Sequence, residues 1–282
     1  MKLGETYENV LAAYPPVQRM IAGERWTVIQ AGTGPTVVLL PGGFGLAATS
    51  FQYIAALASD YHVIALSYPP RLNQVAQLTS GVVAILDACG VGAAHIVGGS
   101  ASGGVAQVLV RHHPQRIATL ILAQTGAPRR ERAWLDRLIA RACEELPAAL
   151  ILGCLRLAVH AFLPGRSEEM IFWRWHFAGV IGEQTRASLA ARFQTLADYD
   201  HNYRFTPEDL QAWPGRIAII EAPQDRMLPA NEQAALRSLY PQATVYRLAG
   251  TAHRDSVTNP LPQIELVRTI IKGRPPIATM VH

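Results

Sequence analysis

Short, unbroken apolar runs recur along this chain, and stretches with helical spacing separate most of them. The runs are Trp26–Ile29, Thr36–Leu40, His62–Leu66, His95–Val97, Ala118–Leu122, Ile217–Ile220 and Thr244–Leu248. Several consist almost wholly of Val, Ile and Leu, the pattern of strands covered on both faces. Between them the spacing predicts helices over Ala48–Ser59, Leu72–Cys89, Ser102–His113, Asn231–Leu239 and Leu261–Ile271. This alternation predicts an α/β fold with a mostly parallel central sheet flanked by helices.

The alternation breaks between Gly126 and Pro214, where no strand pattern occurs. Helical spacing instead covers Arg130–Glu145, Ala148–Phe162, Ser167–Gly179 and Glu183–Thr195. The expected organisation is a core of residues 1–126 and 214–282 with a helical cap, or lid, at 127–213. A length of 282 residues suits one large α/β domain with an insertion better than two full domains. Half of the residues are hydrophobic and 16% are charged, which requires a sizeable core and excludes extensive disorder.

Charge narrows the partners. The formal net charge is +4 and the pI about 9.1, but the excess is spread thinly. Lysine occurs only at positions 2 and 272, and no basic run is interleaved with aromatics, so nucleic acid is not expected as a partner. Cys89, Cys143 and Cys154 have neither metal nor CxxC spacing, which fits a reducing compartment. The opening MKLGETYENV has no apolar signal core. The apolar stretch Pro147–Pro164 is interrupted by Arg156 and His160, so it reads as a buried or amphipathic helix, not a membrane span. A cytoplasmic location is expected, and this stretch leaves a cap-mediated homodimer open.

The segment with chemical content is His95-Ile-Val-Gly-Gly-Ser-Ala-Ser-Gly-Gly-Val-Ala-Gln107: a strand, a glycine-rich turn, then a helix. A phosphate-binding P-loop would need lysine where Gly104 stands, and a dinucleotide fingerprint would need glycine where Ser100 stands. What fits is the nucleophile elbow G-x-S-x-G, which projects a serine above the sheet and demands small neighbours. Here it reads Gly98-Gly99-Ser100-Ala101-Ser102, with serine in place of the second glycine.

A serine hydroxyl needs a base, and the base an orienting acid. Asp225 follows the strand Ile217–Ile220, and His253 follows the strand Thr244–Leu248, giving the chain order Ser, Asp, His. Parallel strands would bring both loops to the edge that carries Ser100. An oxyanion hole needs two backbone N–H donors. Ala101, at a helix N-terminus, is one candidate. Gly43, in the loop Leu39-Leu-Pro-Gly-Gly-Phe-Gly45, is the other.

With these motifs in this order, the chain resembles the α/β-hydrolase fold family over nearly its whole length outside the helical insertion. The resemblance implies that Ser100 is the nucleophile, Asp225 and His253 complete its triad, and Gly43 and Ala101 form the oxyanion hole. Two positions depart from the family pattern: Pro41 stands where the family usually has histidine, and Ser102 replaces the elbow glycine. Pro41 and the stretch Val63-Ile-Ala-Leu-Ser-Tyr-Pro69 are also similar to the maspardin branch, in which the resemblance implies a non-catalytic binding or adaptor protein. The presence of His253 favours catalysis.

Glu221 and Asp200 are rival orienting acids, and Asp255 reads as a helix-capping or solvated carboxylate. His112, His113, His160, His176 and His201 read as structural. No HExxH, CxxC or clustered carboxylate motif calls for a metal, and no cofactor is expected. The run Phe172-Trp173-Arg-Trp175-His176-Phe177 is either ordinary core or the wall of an apolar pocket. On the second reading Trp173, Trp175 and Phe44 are substrate-binding candidates. The expected reaction is hydrolysis of a small apolar carboxylic ester, with lactone, amide or carbon–carbon bond hydrolysis as alternatives.

Overall fold

The computed structural model describes residues 2–273. Among these residues eight strands form one sheet, in the order β1-β2-β4-β3-β5-β6-β7-β8. They are β1 (Val17–Ile21), β2 (Glu24–Ala31), β3 (Thr36–Leu39), β4 (His62–Ser67), β5 (Ala94–Gly99), β6 (Ile117–Ala123), β7 (Arg216–Glu221) and β8 (Thr244–Arg247). From β4 to β8 along the sheet all neighbours run parallel, whereas β1–β2 and β2–β4 pair antiparallel. The continuous Val/Ile/Leu runs are the central strands, with Val38, Ile64, Ile96, Leu120 and Ile121 fully buried.

Helices cover both faces. They are α1 (Leu3–Ala13), α2 (Phe51–Leu57), α3 (Val75–Ala88), α4 (Ser102–His112), α9 (Ala230–Leu239), α10 (Asp255–Thr258) and α11 (Leu261–Ile271), with α5 to α8 placed between β6 and β7. One core cluster gathers residues of α3, α4 and α9 on one face of the sheet, and a second gathers α2 and α11 on the other. β1 and α1 leave no signal among the apolar runs and helical spacings of the sequence. The reason is physical: Ile21 is the only buried residue of β1 and Val10 the only one of α1, so neither carries an apolar pattern.

The four helices between β6 and β7 are α5 (Ala133–Glu145), α6 (Ala148–Phe162), α7 (Glu168–Gly182) and α8 (Arg186–Asn202). α6 seats Ile151, Leu152 and Leu155 against Cys143, Leu189 and Ala190, while Leu150 and Leu157 on its other side are exposed. No helix among the described residues is long and apolar enough to cross a membrane.

Register positions the site. Gly99 at the end of β5 pairs with Ala123 at the end of β6, and Glu221 at the end of β7 pairs with Arg247 at the end of β8. The loops after β3, β5, β6, β7 and β8 therefore open at one edge of the sheet.

Candidate active site

Ser100 follows directly on β5, and its backbone takes φ = 50°, the left-handed region a non-glycine residue adopts only when its surroundings hold it there. Its N–H donates to the carbonyls of Ala123 and Gln124, 3.0 and 3.1 Å away. Thr125 Oγ1 donates to the Ser100 carbonyl at 2.8 Å. A tight turn forced between a strand and a helix takes these backbone groups out of the regular ladder, and the end of β6 with the two residues after it supplies their partners. Gln124 and Thr125 escape motif reading; the only signal is that they follow the strand beside the elbow.

Asp225 is buried on the loop after β7. Its Oδ1 accepts from the backbone N–H groups of Met227 and Leu228 at 2.8 and 3.0 Å. That leaves Oδ2 to receive His253 Nδ1 at 2.7 Å. The other imidazole nitrogen, Nε2, lies 3.0 Å from Ser100 Oγ. A bond from Gln224 N–H to the Thr251 carbonyl, 3.0 Å, ties the Asp225 loop to the His253 loop. The three side chains form one hydrogen-bonded chain from residues 100, 225 and 253. Such a chain can pass the Ser100 proton to the imidazole while the carboxylate fixes the tautomer and steadies the cation.

The rival acids are engaged elsewhere. Glu221 pairs with Arg237 and with Arg247, the latter at 3.1 Å. Asp200 accepts the Arg129 N–H at 2.8 Å and lies 3.4 Å from Arg132; burial pushes its carboxyl up to about 6. Asp255 accepts the Ala252 N–H at 2.7 Å at the start of α10, a local role beside His253.

Gly43 is exposed on the loop after β3, and Ala101 immediately precedes α4. Among the described residues neither amide donates to another protein group. The N-terminal end of α4 adds its positive partial charge beside Ser100. Phe44, half-buried, meets Phe177 of α7 with ring centroids 5.7 Å apart.

The other aromatic candidates are placed differently from the pocket-wall expectation. Trp173 is 1% exposed and packs into the core against Phe51 and Phe177, with centroids 5.7 and 6.1 Å away. Trp175 is 58% exposed and its ring neighbours are Tyr7 of α1 and Phe172. Successive helical positions point in different directions, so an aromatic-rich run divides between core and solvent. Among the described residues no group of histidine, cysteine and carboxylate side chains could hold a metal ion.

Comparison with known proteins agrees with this architecture. A family model described as "Alpha/beta hydrolase family" matches residues 37–264. The RutD protein of Caulobacter segnis, named for carbamate hydrolysis, is 23% identical over 241 residues, 80% of this chain and 88% of its own. A solved hydrolase from Pseudomonas aeruginosa superposes with a TM-score of 0.74 at 21% identity, covering 91% of this chain and 98% of that one. The enol-lactonase of Burkholderia xenovorans superposes with a TM-score of 0.75 at 14% identity, covering 91% of this chain and all (100%) of that one. With the sheet order, the elbow and the matched span agreeing, this chain belongs to the α/β hydrolase family.

Proposed function

We propose that this protein is a serine hydrolase acting on a small apolar carboxylic ester. Ser100 Oγ attacks the carbonyl carbon as His253 takes its proton, and the N–H groups of Gly43 and Ala101 hold the oxyanion. His253 then donates the proton to the leaving alcohol, and the acyl group remains on Ser100. Water attacks the acyl-enzyme with His253 again as base, releasing the acid and restoring Ser100. Asp225 orients the imidazole throughout. The helices at about 127–213 serve as the cap that selects the substrate.

The observation that carries this reading is the hydrogen-bonded chain Ser100–His253–Asp225, at 3.0 and 2.7 Å. A maspardin-like adaptor would have no need of it. The names of the similar proteins, a carbamate hydrolase and an enol-lactonase, favour a second reading: the same residues could open a carbamate or a lactone, because the cap and not the triad chooses the bond.

The test is labelling by a fluorophosphonate probe together with turnover of p-nitrophenyl esters of rising chain length. Both should be present in the wild type and vanish in Ser100→Ala. A folded wild type that neither labels nor turns over would sink the esterase reading and turn the search to carbamates, lactones and binding partners.

A further inference from the structure

We propose that Ser102 is a positioning residue that sets the spacing between the two segments bearing the oxyanion donors. The inference rests on the serine-hydrolase reading and extends it to a side chain where the elbow pattern has glycine.

Ser102 is 1% exposed and opens α4. Its Oγ accepts the Gly99 N–H at 3.1 Å. Its single proton faces two carbonyls, that of Gly99 at 2.9 Å and that of Leu40 at 3.2 Å. Gly99 is the residue before the nucleophile. Leu40 is the residue before Pro41-Gly42-Gly43, and its own N–H donates to the Val97 carbonyl at 3.0 Å. One hydroxyl thus touches both flanks of the site: the elbow at Gly99, two residues from Ala101, and the exit of β3 at Leu40, three residues from Gly43.

A serine that merely filled the first helical turn would be satisfied by Gly99 alone. The contact with Leu40 reaches the exit of the neighbouring strand, a segment 62 positions away in sequence. A buried hydroxyl is costly unless bonded, so its bonds constrain the backbones that make them. Glycine at this position would satisfy the turn but leave the β3 loop tied to the elbow by fewer bonds. An oxyanion donor acts only if it is held where the charge develops. The tie between Leu40 and Gly99 therefore bears on the transition state and not on ground-state binding.

The experiment compares wild type, Ser102→Ala and Ser102→Gly, each checked for folding by circular dichroism and thermal melting. The readouts are kcat and KM for p-nitrophenyl butyrate, and inhibition by a trifluoromethyl ketone of matching chain length, which forms a tetrahedral oxyanion on the serine. Complete loss of an oxyanion donor typically costs ~10²–10³ in turnover, so displacement of one should cost about 10–100-fold. The expected result is a fall in kcat of that size, KM within about twofold, and weakened ketone affinity in step with kcat/KM. Ser102→Gly guards against misfolding, since glycine suits the turn sterically.

An active wild type whose two variants keep their kcat and ketone affinity overturns this inference alone. So does a loss in which KM worsens as much as kcat, which would mean a collapsed site. A wild type that neither labels nor turns over overturns the esterase reading, and this inference, which rests on an activated Ser100, falls with it.

Discussion

Gly103 and Thr125 meet so closely that a Cβ on residue 103 would lie 2.2 Å from Thr125 Oγ1 and 2.4 Å from its Cβ. The same Oγ1 donates to the Ser100 carbonyl at 2.8 Å. The close approach that fastens the elbow to the end of β6 thus requires a glycine one position beyond the one that the elbow pattern reserves. Gly103→Ala should destabilise the protein by about 1–3 kcal/mol through overpacking, and lower turnover by displacing Thr125. Urea unfolding and steady-state kinetics on the same preparation check both. A variant as stable as wild type would show that Thr125 can move aside.

Asp225 divides its carboxylate, one oxygen on the amides of Met227 and Leu228 and the other on His253. In Asp225→Asn the amide oxygen can keep the two backbone bonds, so the fold should survive. The NH₂ group would then face Nδ1 and favour the wrong imidazole tautomer. Turnover should fall by roughly 10³–10⁴ with little change in melting temperature. Near-normal turnover would remove Asp225 from the mechanism and reopen the choice of acid.

His176 is 4% exposed, and the rings of Tyr7, Phe51, Phe172, Trp173 and Phe177 surround it. Loss of hydration pushes its pKa down to about 4 from an unfolded value near 6.5. The native state therefore resists protonation that the unfolded chain accepts. Stability from this group is present above pH ~6.5 and lost as pH falls towards 4, by up to about 3 kcal/mol. Asp200 acts oppositely: its raised pKa favours the native state below its unfolded value, an advantage lost as pH rises through about 6. Denaturant titrations of His176→Phe beside wild type, from pH 7 to pH 5, should show wild type losing ground to the variant. A gap that stays constant over that range would contradict the assignment.

Arg192 of α8 is buried without a carboxylate partner among the described residues. One guanidinium nitrogen donates to the carbonyls of Pro69 and Leu72, both at 2.9 Å, and the group lies 5.2 Å from the Tyr68 ring centre. Burial pushes its pKa down to about 10, which still leaves it charged at neutral pH. Arg192→Met would relieve the desolvation of a cation but leave two carbonyls without their donor. Hydrogen bonds from a charged donor contribute about 1.5–3 kcal/mol each, so a net loss of about 1–3 kcal/mol is expected. Chemical denaturation decides it, and a more stable variant would show that desolvation outweighs the bonds.

The central strands, the helical insertion and the order Ser100, Asp225, His253 are all legible in the sequence, because each strand, helix and triad loop is carried by a short local pattern. Unbroken apolar runs mark strands covered on both faces, and small residues between strand and helix mark the elbow. The helix Ala148–Phe162 and the helix Leu261–Ile271 coincide with the spacing that predicts them. By contrast, β1 and α1 bury too little to leave a pattern.

What only the tertiary structure decided is which partner each polar group meets. Strand order places β5 between β3 and β6, and that alone brings Leu40 to Ser102 and Thr125 to Ser100. The same packing sends Trp173 into the core, leaves Trp175 to solvent and buries Arg192 against the loop after β4. Periodicity shows that a face is buried. It does not show against what, because burial and hydrogen-bond partners depend on segments far apart in the chain that meet only when the sheet is assembled.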